Sequence, residues 1–96
     1  MDYFADYRAH VGARDGKHFK STVFRGQHLF VGVNCLEPGQ AQEEHTHDDQ
    51  DKFYIVQEGR GRFSVGDARF EAKPGAIVWA PAGARHGVVN AGPERL

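Results

Sequence analysis

Six histidines stand in this 96-residue chain: His10, His18, His28, His45, His47 and His86. Two of them are spaced for metal chemistry. On an extended strand, residues i and i+2 point to one face about 6.5–7 Å apart, so the imidazoles of His45 and His47 can converge on a single ion. Glu43 shares their parity, whereas Glu44 and Thr46 face the other way. Taken alone, His45-Thr46-His47 reads equally well as a pair of surface histidines. His10, His18 and His28 are isolated in the sequence and are expected to be surface or hydrogen-bonded residues.

The elements that must position these residues are short strands. Strand-like stretches run over Ser21–Arg25, His28–Leu36, Gln42–His47, Lys52–Gln57, Arg62–Val65, Ala68–Ala72, Ala76–Ala80 and Arg85–Asn90. Turn signals separate them, among them Glu37-Pro38-Gly39-Gln40, Gly66-Asp67, Lys73-Pro74-Gly75 and Pro81-Ala82-Gly83. About eight strands at 8–12-residue spacing, with no convincing helix, predict an all-β sandwich or barrel. Residues 1–20 are set apart as an N-terminal arm in which Tyr3, Phe4 and Tyr7 could lie on a partner subunit, and 21–96 form the barrel domain.

Composition narrows the function classes. Apolar residues make up 40% and charged residues 26%, which describes an ordinary globular chain with room for one domain. A net charge of −1 gives no basic footprint for nucleic acid or an acidic membrane. Cys35 is the only cysteine, which excludes an internal disulfide; it is expected as a small buried apolar residue. The N-terminus mixes acids with Arg8 and lacks the apolar stretch of a signal peptide, so a cytoplasmic protein is expected.

Two longer patterns then add to the histidines. Gly75-X5-Pro81-X-Gly83-X2-His86-X3-Asn90 places His86 behind a Pro/Gly turn at the head of an apolar strand. By composition alone this arises on the order of once in ten thousand such chains. The segment resembles, without departure, the second motif of the cupin superfamily. Gly39, His45, His47 and Gly59 are similarly spaced to the first cupin motif. The resemblance implies a jelly-roll barrel, or double-stranded β-helix, with a metal inside near one open end. It further implies His45, His47 and His86 as ligands of one divalent transition metal, with iron, manganese, nickel and zinc not distinguished. Pro81 and Gly83 would shape the turn that delivers His86, and Asn90 would bond backbone.

The resemblance breaks at one position. Where the first motif carries a ligating glutamate, this chain has Lys52, which cannot ligate while protonated. Three arrangements follow: a three-histidine site with open positions, a substitute ligand from Asp51, Gln50 or Glu43, or a metal-free organic pocket. In the first, Lys52 would anchor an anion or transfer a proton, and Tyr54, of the same parity, would line the pocket or pack in the core. The expected activity is that of a metal-dependent dioxygenase, isomerase or lyase acting on a small, anionic organic substrate. The alternatives are a non-catalytic metabolite- or sugar-binding module and an interaction protein with a vestigial site. Phe53, Ile55, Phe63, Phe70 and Trp79 are expected in the core or at a subunit interface. With Phe30, Val31 and Val33 free to extend a partner's sheet, a homodimer is expected.

Overall fold

Short stretches of four to seven residues, cut by tight turns, settle as eight strands in a computed structural model that describes residues 3–96. They are β1 (Phe19–Arg25), β2 (Phe30–Cys35), β3 (Ala41–His45), β4 (Lys52–Ile55), β5 (Gly61–Val65), β6 (Ala68–Ala72), β7 (Ile77–Ala80) and β8 (His86–Val89). β3, β8, β5 and β6 form a four-stranded sheet in that order, while β1–β2 and β4–β7 form two-stranded ribbons. Every pairing is antiparallel. Gly83 (φ 83°) and Gly59 (φ 75°) occupy left-handed turn conformations that a side chain would strain. At Gly59 a Cβ would also run into the Arg95 carbonyl. No helix of the described residues is long and apolar enough to cross a membrane.

Leu36, Val56, Phe63, Ala72, Val78 and Val88 meet as the buried core, with Tyr54, Val65, Ala76 and Leu96 packed against it. Cys35 is buried beside Leu36 as a free thiol. Phe63 is therefore a core residue. Phe53, Ile55, Phe70 and Trp79 instead face outward. Leu36 and Leu96 exchange backbone hydrogen bonds (2.8 and 2.9 Å) and so close the C-terminal end against the chain leaving β2.

The N-terminal stretch differs in detail from the expected arm, whose first two residues lie outside those described. Tyr7–His10 makes one 3-10 turn, capped by Asp6 accepting from the Arg8 N–H, and the Tyr7 hydroxyl donates to Glu58 (3.0 Å). β1 begins at Phe19 rather than Ser21, because Phe19 pairs with Cys35 and its ring lies against Gly12. β2 starts at Phe30 rather than His28, since Gly26 donates to the Leu29 carbonyl and closes the turn there.

Asn90 ties the site strand to the chain end. Fully buried, it donates through Nδ2 to the Leu36 and Glu94 carbonyls (2.7 and 2.8 Å) and accepts from Gly92 N–H (3.0 Å). Alanine here removes three hydrogen bonds and leaves a small cavity where the amide was fully buried. Asn90→Ala is expected to lower stability by about 2 kcal/mol in urea unfolding.

Candidate metal centre

His45 and His86 face one another as a register pair across β3 and β8. His47 lies just beyond the end of β3, where its carbonyl accepts from Gly83 N–H (2.8 Å). The turn that carries His86 is thereby fastened to the chain that carries the other two histidines. Asp51 adds a second fastening by accepting from Ala82 N–H (2.9 Å). The three rings pack with centroids 4.3, 4.9 and 5.9 Å apart. One ligand atom from each lies within 4.8 Å of the others, so the cluster could hold a metal ion.

Hydrogen bonding selects which nitrogens are available. Nδ1 of His45 lies 2.9 Å from the Glu43 carbonyl, and Nδ1 of His86 lies 3.0 Å from the Ala84 carbonyl. A carbonyl only accepts, so each Nδ1 carries the proton and each Nε2 is left with a free lone pair. Nε2 of His86 is buried and has no hydrogen-bond partner. An orphaned basic nitrogen beside two further imidazoles is the arrangement a divalent cation completes. Burial holds the His86 pKa below its ordinary value, which keeps that lone pair free of protons.

The orientation of His45 depends on an irregularity in β3. Gln42 pairs with Val88 and His45 with His86, so β3 has one residue more than β8 between these pairs. This bulge lets Gln42 and His45 both turn inward, and it breaks the parity expected to put Glu43 beside the histidines. Glu43 is exposed and offers its carbonyl to His45. Gly87 lies opposite the bulge; a Cβ there would stand 2.9 Å from the Gln42 oxygen and from the Glu44 nitrogen. Glu44 turns to the outer face, where Arg85 (3.3 Å) and Arg69 (3.6 Å) pair with it. The Ser64 hydroxyl, with the two arginines, holds the Glu44 pKa below the ordinary value.

The other expected ligands lie apart from the cluster. Asp51 is engaged with the Ala82 turn, Gln50 is exposed, and the metal-competent group among the described residues consists of the three histidines. Lys52 and Tyr54 share the inward face of β4, opposite Ala80 and Val78. The Lys52 ammonium lies 4.7 Å from the centre of the Tyr54 ring, and that ring is 6.3 Å from His86. Burial, with Lys20 nearby, lowers the Lys52 pKa. Tyr54 donates to Gln42 Oε1 (2.6 Å), and burial pushes its pKa up to about 12, so its proton is firmly held.

Residues 32–96 match the family described as Cupin domain, about two thirds of the chain. The chain belongs to the cupin family. No curated protein matches it, but solved structures do. The TT1209 protein of Thermus thermophilus is 34% identical, with a TM-score of 0.92 over 96% of this cupin and 88% of that chain. An uncharacterized Klebsiella pneumoniae protein with a double-stranded β-helix domain is 26% identical, with a TM-score of 0.92 over 99% and 84%. A Thermotoga maritima protein described as a predicted oxalate decarboxylase is 25% identical, with a TM-score of 0.66 over 68% and 56%. The jelly-roll architecture is thus shared along nearly the whole cupin.

Two features of this cupin's site had no signal in a lone sequence: the inward turn of Gln42 and the small residue required at Gly87, both set by the bulge. Glu44 faces away from the histidines, as its parity predicts. His18, expected at the surface or hydrogen-bonded, instead has a buried Nε2 with no partner.

Proposed function

We propose that this cupin binds one divalent transition metal through His45, His47 and His86 and acts on a small organic anion by oxygenase, isomerase or lyase chemistry. The observation that carries the reading is the convergence of three imidazoles on a point where the buried Nε2 of His86 lacks any partner. A bound metal would supply Lewis acidity and positions open to substrate.

The residues around the cluster support the anionic character of the substrate. Lys52 is half-buried and has no carboxylate partner among the described ion pairs. Its ammonium would pair with a substrate carboxylate and hold it toward the histidines, with the Tyr54 ring as a wall. Tyr54, hydrogen-bonded to Gln42, positions and donates rather than acting as a base. The Thermotoga protein's description names a decarboxylase of a small dicarboxylate, which fits a substrate of this class.

Metal analysis of the purified protein, followed by oxygen uptake and product analysis over a panel of short 2-oxo and dicarboxylic acids, tests the reading. Absence of metal after reconstitution would overturn it. Stoichiometric binding of an acid without turnover would assign a binding module instead. Lys52→Met is expected to weaken binding of the acid by about 10-fold or more while leaving metal binding intact. For the wild type, the Lys52 contribution is present while the amine is protonated. It is lost as pH rises through a pKa lowered by burial, so acid binding should weaken on the alkaline side at a pH below 10.5.

A further inference from the structure

The β1–β2 hairpin has two unlike faces. Leu36 belongs to the barrel core, so Asn34, two residues earlier on an extended chain, looks into the barrel as well. Register partners share a face, and Asn34 pairs with Lys20 while Gly32 pairs with Thr22. The opposite face is closed by the N-terminal stretch. There the Phe19 ring lies against Gly12, Ser21 Oγ stands 3.5 Å from His10 Nδ1, and Cys35 is buried. The face turned to the barrel is the open one. Lys20, Thr22 and Gly32 are exposed on it, Asn34 is half-buried, and Lys20 makes no ion pair among the described residues.

This open face adds charge to the site without balancing it. Lys52 looks inward from β4, and burial followed by the nearby Lys20 lowers the pKa of both Lys52 and His18. No carboxylate acts on either group. His18, two residues before Lys20, adds a buried Nε2 that has no partner. Two ammoniums that repel one another and face no acid are completed by an anion. With a divalent ion on three neutral imidazoles beside them, the single carboxylate of a monoacid leaves most of the charge uncompensated. The chemistry of the donors selects a second carboxylate over a phosphate. Arg25, the one arginine of the hairpin, is turned over the Phe30 ring (4.6 Å) and offers no guanidinium fork to a phosphate, whereas an ammonium and an amide suit a carboxylate.

We propose that the substrate is a dicarboxylate whose second carboxylate is received by Lys20 and Asn34 on the inner face of the β1–β2 hairpin, while Lys52 holds the first beside the histidines. This rests on the reading of Lys52 as an anion anchor and narrows the substrate class that the same site takes. The two carboxylates must be separated by a carbon chain. β1 and β4 are not hydrogen-bonded to one another, and the two ammoniums repel, so adjacent carboxylates such as those of oxalate cannot reach both.

Two acids of equal length isolate the second carboxylate: 2-oxoglutarate, and 2-oxopentanoate, which ends in a methyl group instead. Binding of each to the zinc-loaded full chain is measured by calorimetry at low ionic strength. The wild type is expected to prefer 2-oxoglutarate by about 10-fold or more. Lys20→Met should weaken 2-oxoglutarate alone and bring the preference close to unity, and Asn34→Ala should lower it about 3-fold. Lys20→Arg should keep most of it. Lys20 is exposed, so these changes leave the fold intact. Lys73→Met removes the same charge from the exposed turn at the far end of the β4–β7 ribbon and should leave the preference unchanged, which separates a contact from net charge. Lys52→Met should weaken both acids. Equal binding of the two acids by the wild type, or an undiminished preference in Lys20→Met, would overturn the second subsite while leaving Lys52 as the anchor of the first carboxylate. Failure of both acids to bind the zinc-loaded wild type would overturn the subsite and the anionic substrate together.

Discussion

Replacing His47 with alanine is expected to lower the affinity for a divalent transition metal by about 1000-fold while leaving the barrel folded. The size follows from removing one of three neutral nitrogen donors where no carboxylate stands ready to replace it, since Asp51 is held by Ala82 and Glu43 is exposed. The preserved fold follows from exposure. His47 lies beyond the end of β3, and the contact it makes with the His86 turn is through its own carbonyl, which alanine keeps. His86→Ala should abolish metal binding as well, but that residue is 2% exposed, and its loss would also leave a cavity. His47 is therefore the cleaner probe. Titration of the metal-free protein with Co²⁺, read by its visible spectrum and by competition with a chelator, checks the prediction. A variant that binds one equivalent as tightly as the wild type would remove His47 from the ligand set.

Much of this architecture is legible in the sequence because turns need particular residues. Gly59 and Gly83 sit where the backbone turns left-handed, so the glycine spacing of both motifs records the turns themselves. Lys52 is legible too, as an amine where the family places an acid. Strand alternation correctly groups Lys52 with Tyr54 and Phe53 with Ile55, but it cannot tell which group meets solvent. That depends on what covers the sheet. Phe53 and Trp79 therefore read as core or interface from their apolarity, and the fold leaves them exposed. The bulge in β3 is not legible for a different reason. Counting parity back from His45 assumes a regular strand, and one extra residue before His45 transfers Gln42 to the inner face and removes Glu43 from it.

That extra residue makes Gly87 a sensitive position, although nothing in the motifs marks it. Gly87→Ala is expected to lower the stability of the metal-free protein by about 2 kcal/mol. Metal affinity should fall by about 10- to 100-fold, although no ligand has been touched. The new methyl would stand 2.9 Å from both the Gln42 oxygen and the Glu44 nitrogen, and 3.1 Å from the Glu44 Cα. All three are backbone atoms, so no side chain can rotate away to relieve the contact. β3 must lift from β8 instead, between the Gln42–Val88 and His45–His86 pairs. The lift would separate the two histidines that face one another across this junction. On the outer face, the pairing of Glu44 with Arg85 and Arg69 resists the displacement, so the strain falls on the His45 side of the strand. Val89→Ala is the control, since Val89 is exposed on the same strand and faces Ala41 and Arg62 rather than the bulge. Urea unfolding without metal and Co²⁺ titration, run on both variants, separate the two effects. A Gly87→Ala protein that loses stability but binds metal like the wild type would show that the bulge shapes the sheet without aiming His45.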